Sequence, residues 1–116
     1  MIKIPDFHKK SKNRDDADQI KILLVDNLED NLFALECLLK RDDVKIFKAS
    51  SGTDALELMI PHEFALALID VHMPGMSGFE LAELMRGAKK TKNIPIIFVT
   101  ASAKGQSFMF KGYENG

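Results

Sequence analysis

The stretch Phe64-Ala-Leu-Ala-Leu-Ile-Asp70-Val-His-Met-Pro74-Gly75-Met-Ser-Gly78 decides the fold. Its first part is an unbroken apolar run bounded by a turn, the pattern of a strand covered on both faces. The run ends in one carboxylate and turns at once through Pro74-Gly75, which presents Asp70 at the rim of a sheet. Upstream, Ile20-Lys-Ile-Leu-Leu-Val25 is a second strand, and it too ends in an acid, Asp26. Strands that deliver two carboxylates to the same edge build a cation pocket, with an oxygen left over for chemistry.

Working outward, strand and helix patterns alternate. Leu28, Leu32, Leu35 and Leu39 recur at helical spacing through to about Arg41, with Asn27 and Asp30 placed to cap the start. Val44–Lys48 is a short strand with polar alternation, as suits a sheet edge. Thr53–Met59 is a short helix with Leu56 and Met59 inward, stopping before Pro61. Ser77-Gly-Phe-Glu80 has capping-box spacing and opens a helix with Phe79, Ala82 and Met85 on one face. Pro95-Ile-Ile-Phe-Val-Thr100 is a fourth strand, and Phe108, Met109 and Phe110 fall in a last helix pattern. This order predicts a doubly wound α/β fold, flavodoxin-like, with a parallel sheet in the order 2-1-3-4. In such sheets ligands sit outside the carboxyl ends of the strands, where Asp26, Asp70 and Thr100 all fall.

The bulk properties set limits. A chain of 116 residues, 46% apolar and 28% charged, has room for one domain with one core. The net charge of −1 gives no electrostatic case for nucleic acid or an acidic membrane as partner. No apolar run approaches the roughly 20 residues that span a bilayer, and no signal-peptide pattern opens the chain. Cys37 is the single cysteine, which excludes an internal disulfide and suggests a cytoplasmic setting; it is read as a small core residue among Leu35, Leu38 and Leu39. Residues 1–19, with Lys9-Lys-Ser-Lys-Asn-Arg14 and Asp15-Asp16-Ala-Asp18, read as a polar tail or linker, and 20–116 as the domain. His8, His62 and His72 lack zinc-ligand spacing, Gly75-Met-Ser-Gly78 is not a phosphate-loop pattern, and no nucleophile–base pair suggests a hydrolase.

Taken together, Ile22-Leu-Leu-Val-Asp26, Leu68-Ile-Asp70-Val-His-Met-Pro74-Gly75-Met-Ser-Gly78-Phe-Glu80 and Pro95-Ile-Ile-Phe-Val-Thr100-Ala101 resemble the receiver domain of bacterial two-component response regulators. The resemblance covers about residues 20–116. It implies that Asp70 is a phosphoacceptor, taking a phosphoryl group from a sensor histidine kinase or phosphotransfer protein. It implies Mg2+ held by Asp26, Asn27, Asp70 and the backbone carbonyl of His72, and a contact from the Thr100 hydroxyl to a phosphoryl oxygen. It implies a signalling domain and not an enzyme in the ordinary sense. The physical logic holds without the family, since a carboxylate can attack in line while a metal and donors neutralise a loose transition state. A phosphatase-like enzyme is disfavoured because its Asp-x-Asp pattern is absent, residue 72 being His.

Two departures stand beside the match. The family's first strand usually ends in a pair of acids, whereas Asp26 is followed by Asn27. An amide oxygen carries no charge for Mg2+, so weaker metal binding is expected; the other reading of Asn27 is a helix cap. The family also has a fifth βα unit, with a lysine that pairs with the phosphoryl group and an aromatic of the conformational switch. The sequence ends after the fourth helix pattern, and Lys104 and Lys111 are read as solvated. On this reading the fourth strand has an open edge, and self-association through it is expected, with Met1–Pro5 as one strand that could be added. The alternative function is a phosphorylation-dead pseudo-receiver acting as a protein–protein or self-assembly module.

Overall fold

The computed structural model describes residues 19–100 and the backbone of 101 and 108–113. Its elements run β1 (Ile20–Val25), α1 (Glu29–Leu39), β2 (Val44–Ala49), α2 (Gly52–Leu58), β3 (Leu66–Asp70), α3 (Gly78–Arg86), β4 (Ile96–Ala101) and β5 (Phe108–Tyr113). The sheet has the order β2-β1-β3-β4-β5. The first four strands pair in parallel, in the order the sequence predicts, and β2 lies at the outer edge as its polar alternation suggests. Among the described residues no helix is long and apolar enough to cross a membrane.

Strands β1 to β4 alternate their apolar residues between two cores. Leu23, Val25, Ala67, Ile69, Ile96 and Phe98 face α2 and α3, meeting Ala55, Met59, Leu81, Ala82 and Met85. Ile22, Leu24, Leu68 and Val99 face the other way, toward Leu32 and Leu35 of α1. Fully burying one such side chain contributes about 2 kcal/mol, so helices on both faces hold the central strands β1 and β3 rigidly. α3 starts where its sequence says. The Ser77 hydroxyl accepts from the Glu80 N–H at 3.1 Å, and the Glu80 carboxylate accepts from the Ser77 N–H at 2.8 Å, completing the capping box.

Several expectations are corrected. Cys37 is exposed, not core. The buried stripe of α1 runs through Leu32 and Leu35, and a residue two places on from Leu35 is turned about 200° around the helix. Phe79 is likewise not buried with Ala82 and Met85; it is 53% exposed and rests edge-on against Phe98, ring centroids 4.7 Å apart. Neither Asn27 nor Asp30 caps α1. The N-cap position is Leu28, which makes no side-chain cap, and its N–H is taken by the Asp26 carboxylate instead.

The largest correction is at β4. Residues 108–113 form a strand, not a helix, antiparallel to β4 in the register Val99↔Phe110 and Ile97↔Gly112. Pairing there satisfies backbone N–H and C=O groups that an edge strand would leave open, and the aromatic content of Phe-Met-Phe-Lys-Gly-Tyr suits a strand. The edge of β4 that the sequence offers for self-association is therefore already occupied by the same chain. Within 1–19 only Gln19 lies in the described residues, so the tail reading, the Met1–Pro5 strand and His8 fall outside them, as does Lys104.

Candidate functional site

Strand register alone brings the acids together. Val25 pairs with Ile69, so the next residues, Asp26 and Asp70, stand side by side beyond the carboxyl ends of β1 and β3. Asp70 in turn pairs with Val99, which puts Thr100 one step further along the same rim. Backbone bonds from the Asp26 N–H to Ala49 (3.0 Å) and from the Val71 N–H to Val99 (3.3 Å) hold both strand ends in line.

The loop from Val71 to Ser77 is folded back tightly. Gly75 turns it with φ +78°, a conformation that costs an L side chain. The Gly78 N–H donates to the Val71 carbonyl at 3.1 Å, closing the loop against the strand that carries Asp70. Met76 from this loop packs on Gly52 at the start of α2.

Both carboxylates are buried, Asp26 being 1% exposed and Asp70 9%. Asp26 is tied at both oxygens: Oδ1 accepts the Leu28 N–H at 2.9 Å and Oδ2 accepts the Asn31 side-chain amide at 3.1 Å. Among the described residues, Asp70 accepts one backbone bond, from the His72 N–H at 3.2 Å to Oδ1. Burial pushes the Asp70 carboxyl up to about 6, the charge of Asp26 pushes the same way, and the His72 N–H only partly opposes them. Two desolvated acids whose charges repel are a donor set that a hard divalent cation would relieve. Among the described residues no group of three or more His, Cys, Asp or Glu side chains could hold a metal, so such a cation would keep several waters.

A raised carboxyl has a definite consequence for stability. Asp70 binds its proton more tightly folded (about 6) than unfolded (3.8). Its contribution to stability is therefore fully present below 3.8 and is lost as pH rises through about 6. In metal-free buffer, the stability gap between Asp70→Asn and the native protein is expected to widen from pH 4 to pH 7.5, in favour of the variant. Urea titrations across that range check it, and a gap that is flat with pH would contradict the raised carboxyl.

Of the residues singled out in the sequence, the fold brings Asp26 and Asp70 together and sets Thr100, half-buried, on the same rim. His72 is exposed, and its backbone N–H bonds the Asp70 carboxylate. Asn27 is exposed beside Asp26. Sequence reasoning misses Asn31. The signal for it is an amide in the first turn of α1, close enough to reach back to the acid that precedes the helix.

Comparison with known proteins agrees with this geometry. The family model for the response regulator receiver domain matches residues 22–116. The response regulator PleD of Caulobacter vibrioides is 32% identical over 96 residues, covering 83% of this chain and 21% of that protein. The transcriptional regulatory protein SrrA of Staphylococcus aureus is 33% identical over 96 residues, covering 83% of this chain and 38% of that protein. The chain thus spans well under half the length of either of these relatives. Among solved structures, the chemotaxis protein CheY4 of Vibrio cholerae superposes with a TM-score of 0.67 at 27% identity, over 73% of this chain and 71% of that one. The non-phosphorylated HemR receiver domain from Leptospira biflexa does so with 0.62 at 34% identity, over 73% of this chain and 67% of that one. With paired acids at the rim of a doubly wound sheet and a family model matched from β1 onward, the chain belongs to the response regulator receiver domains.

Proposed function

We propose that Asp70 is the phosphoacceptor of this receiver domain, and that its phosphoryl donor is a phosphohistidine on a sensor histidine kinase or phosphotransfer protein in the cytoplasm. The observation that carries this is the pair of buried acids at neighbouring strand ends, one of them raised to about 6. At neutral pH a carboxyl of that kind is mostly ionised and still desolvated, which makes it a competent nucleophile. One Asp70 oxygen forms the new P–O bond as the donor's P–N bond breaks, and the imidazole leaves with the electron pair. The His72 N–H holds Oδ1, which fixes the plane of the attacking carboxylate.

Receiver domains are phosphoacceptor modules and not classical enzymes, and family membership implies Mg2+-dependent phosphotransfer. Here Asp26, Asp70 and the His72 carbonyl would hold the ion, with Asn27 as a further oxygen. Bound there, Mg2+ supplies the positive charge that a transferring phosphoryl group requires. On this reading Thr100 donates its hydroxyl to a phosphoryl oxygen once transfer is complete. On this reading residues 1–19 are a tail and 20–116 the receiver unit. A second reading, a contact module that is never phosphorylated, draws on the neutral, exposed Asn27 where an acid would strengthen metal binding.

The test is intact-mass analysis after incubation with acetyl phosphate, with and without Mg2+. The expected result is a single phosphate adduct that forms only with Mg2+. Folded protein that gives no adduct would reject the phosphoacceptor and leave the contact module.

A further inference from the structure

Asn31 is one residue at the acid pair that no part of the proposed chemistry uses. It lies in the first turn of α1, half-buried, and its own N–H is bonded to the Leu28 carbonyl at 3.1 Å, so its backbone is fixed. Its side-chain nitrogen donates to Asp26 Oδ2 at 3.1 Å, while the Leu28 N–H holds Oδ1 at 2.9 Å. One bond alone would leave the Asp26 carboxylate free to swing about its last torsion. Two bonds, one at each oxygen, set its plane.

We infer that Asn31 is a positioning residue: its amide locks the Asp26 carboxylate in the orientation that makes the site select Mg2+ over Ca2+. This rests on the reading of Asp26 as a metal ligand. Mg2+ demands near-ideal octahedral geometry at short distances, whereas Ca2+ accepts flexible and irregular oxygen sets. A site with few protein oxygens depends on the aim of each one, and the neutral Asn27 supplies no second charge to compensate for a misaligned Asp26. The chemical type of residue 31 fits the task. A lysine or arginine there would hold the carboxylate but repel the cation, and an acid could not donate at all. An amide donates without adding charge.

The experiment is a 15N NMR titration of the full chain with MgCl2 and separately with CaCl2, following the Leu28 and His72 amides. Asn31→Ala is expected to weaken Mg2+ by about tenfold, the low end for loss of a partner that orients a ligand, and Ca2+ by less. The preference for Mg2+ then falls severalfold while the amide spectrum away from the site stays native. Asn31→Asp keeps the shape, removes the donor and adds charge; its Mg2+ preference should fall too, even if both ions bind more tightly. A preference unchanged in both variants overturns the positioning role and leaves the metal site standing. If the native protein shows no response to Mg2+ at millimolar concentration, the metal-site reading fails first and the inference falls with it.

Discussion

Asp70→Asn is expected to abolish the phosphate adduct completely and, in the same molecule, to raise the stability of the metal-free protein at pH 7.5. The loss is total because an acyl phosphate needs a carboxylate oxygen to bond phosphorus, and an amide does not provide a nucleophile of that kind. The gain has a separate cause. Native Asp70 is 9% exposed, with its carboxyl raised from 3.8 to about 6 by burial and by Asp26. Each tenfold change in proton affinity is worth about 1.4 kcal/mol, so ionising Asp70 in that place costs roughly 2 kcal/mol once water at the rim is allowed for. The variant no longer carries that cost, so its melting temperature should rise by several degrees in EDTA. Added Mg2+ should narrow the gap by stabilising the native protein, since an ion bound to the folded state shifts the equilibrium by mass action. Mass spectrometry and thermal melts on the same preparations read both effects. An adduct that survives in Asp70→Asn would move the phosphoacceptor to another residue. A variant no more stable than the native protein would mean that the acid pair is less strained than its burial indicates.

The second large effect concerns the backbone that carries Asp70. A methyl group on Gly78 would collide with the Asp70 carbonyl oxygen and lie 3.0 Å from the Val71 Cα. Both atoms are backbone at the end of β3, pinned by the Val71 N–H bond to Val99 and by the Gly78 N–H bond to Val71. Neither can give way without parting β3 from β4 or lifting α3 off the strand end. Gly78→Ala is therefore expected to cost about 3 kcal/mol, at the upper end for overpacking a buried site. Two other glycines serve as controls. Gly75 has φ +78° with nothing within 4 Å of an added Cβ, so Ala there costs only its backbone strain, about 1 kcal/mol. Gly87 ends α3 at φ −86° and an added Cβ would meet nothing nearer than 3.7 Å, so Ala should be neutral or slightly stabilising. Urea denaturation should rank the losses 78, 75, 87. Equal losses at 78 and 75 would show that helix α3 does not press on Asp70.

The acid pair also shows how far the chain can be read before folding. Asp26 and Asp70 each follow a run of apolar residues, and a parallel α/β order sends every strand's carboxyl end to the same rim. Their meeting therefore follows from local pattern and one topological rule. The Ser77–Glu80 box is legible for the same reason, since its partners are three residues apart and the bond lies within one turn. Asn31 is harder. Its spacing is local, but the decisive fact is which way the Asp26 carboxylate turns once β1 is packed.

What the sequence determined by itself was the alternation of strands and helices, the order β2-β1-β3-β4, the capped start of α3 and the placing of two acids and a threonine at one edge. These depend on periodicity and on contacts near in the chain, where each residue carries its own instruction. The tertiary structure alone decided the rest. It set which side of α1 was covered, leaving Cys37 in solvent, and it rested Phe79 on Phe98 in place of burying it. It turned 108–113 into a partner for β4, because an unpaired strand edge rewards hydrogen bonding from whatever segment can reach it. It also desolvated Asp70 beside Asp26, and that burial, with the charge of Asp26, raises the carboxyl to about 6. The charge of a residue is written in the chain, but the cost of that charge depends on what the fold packs around it.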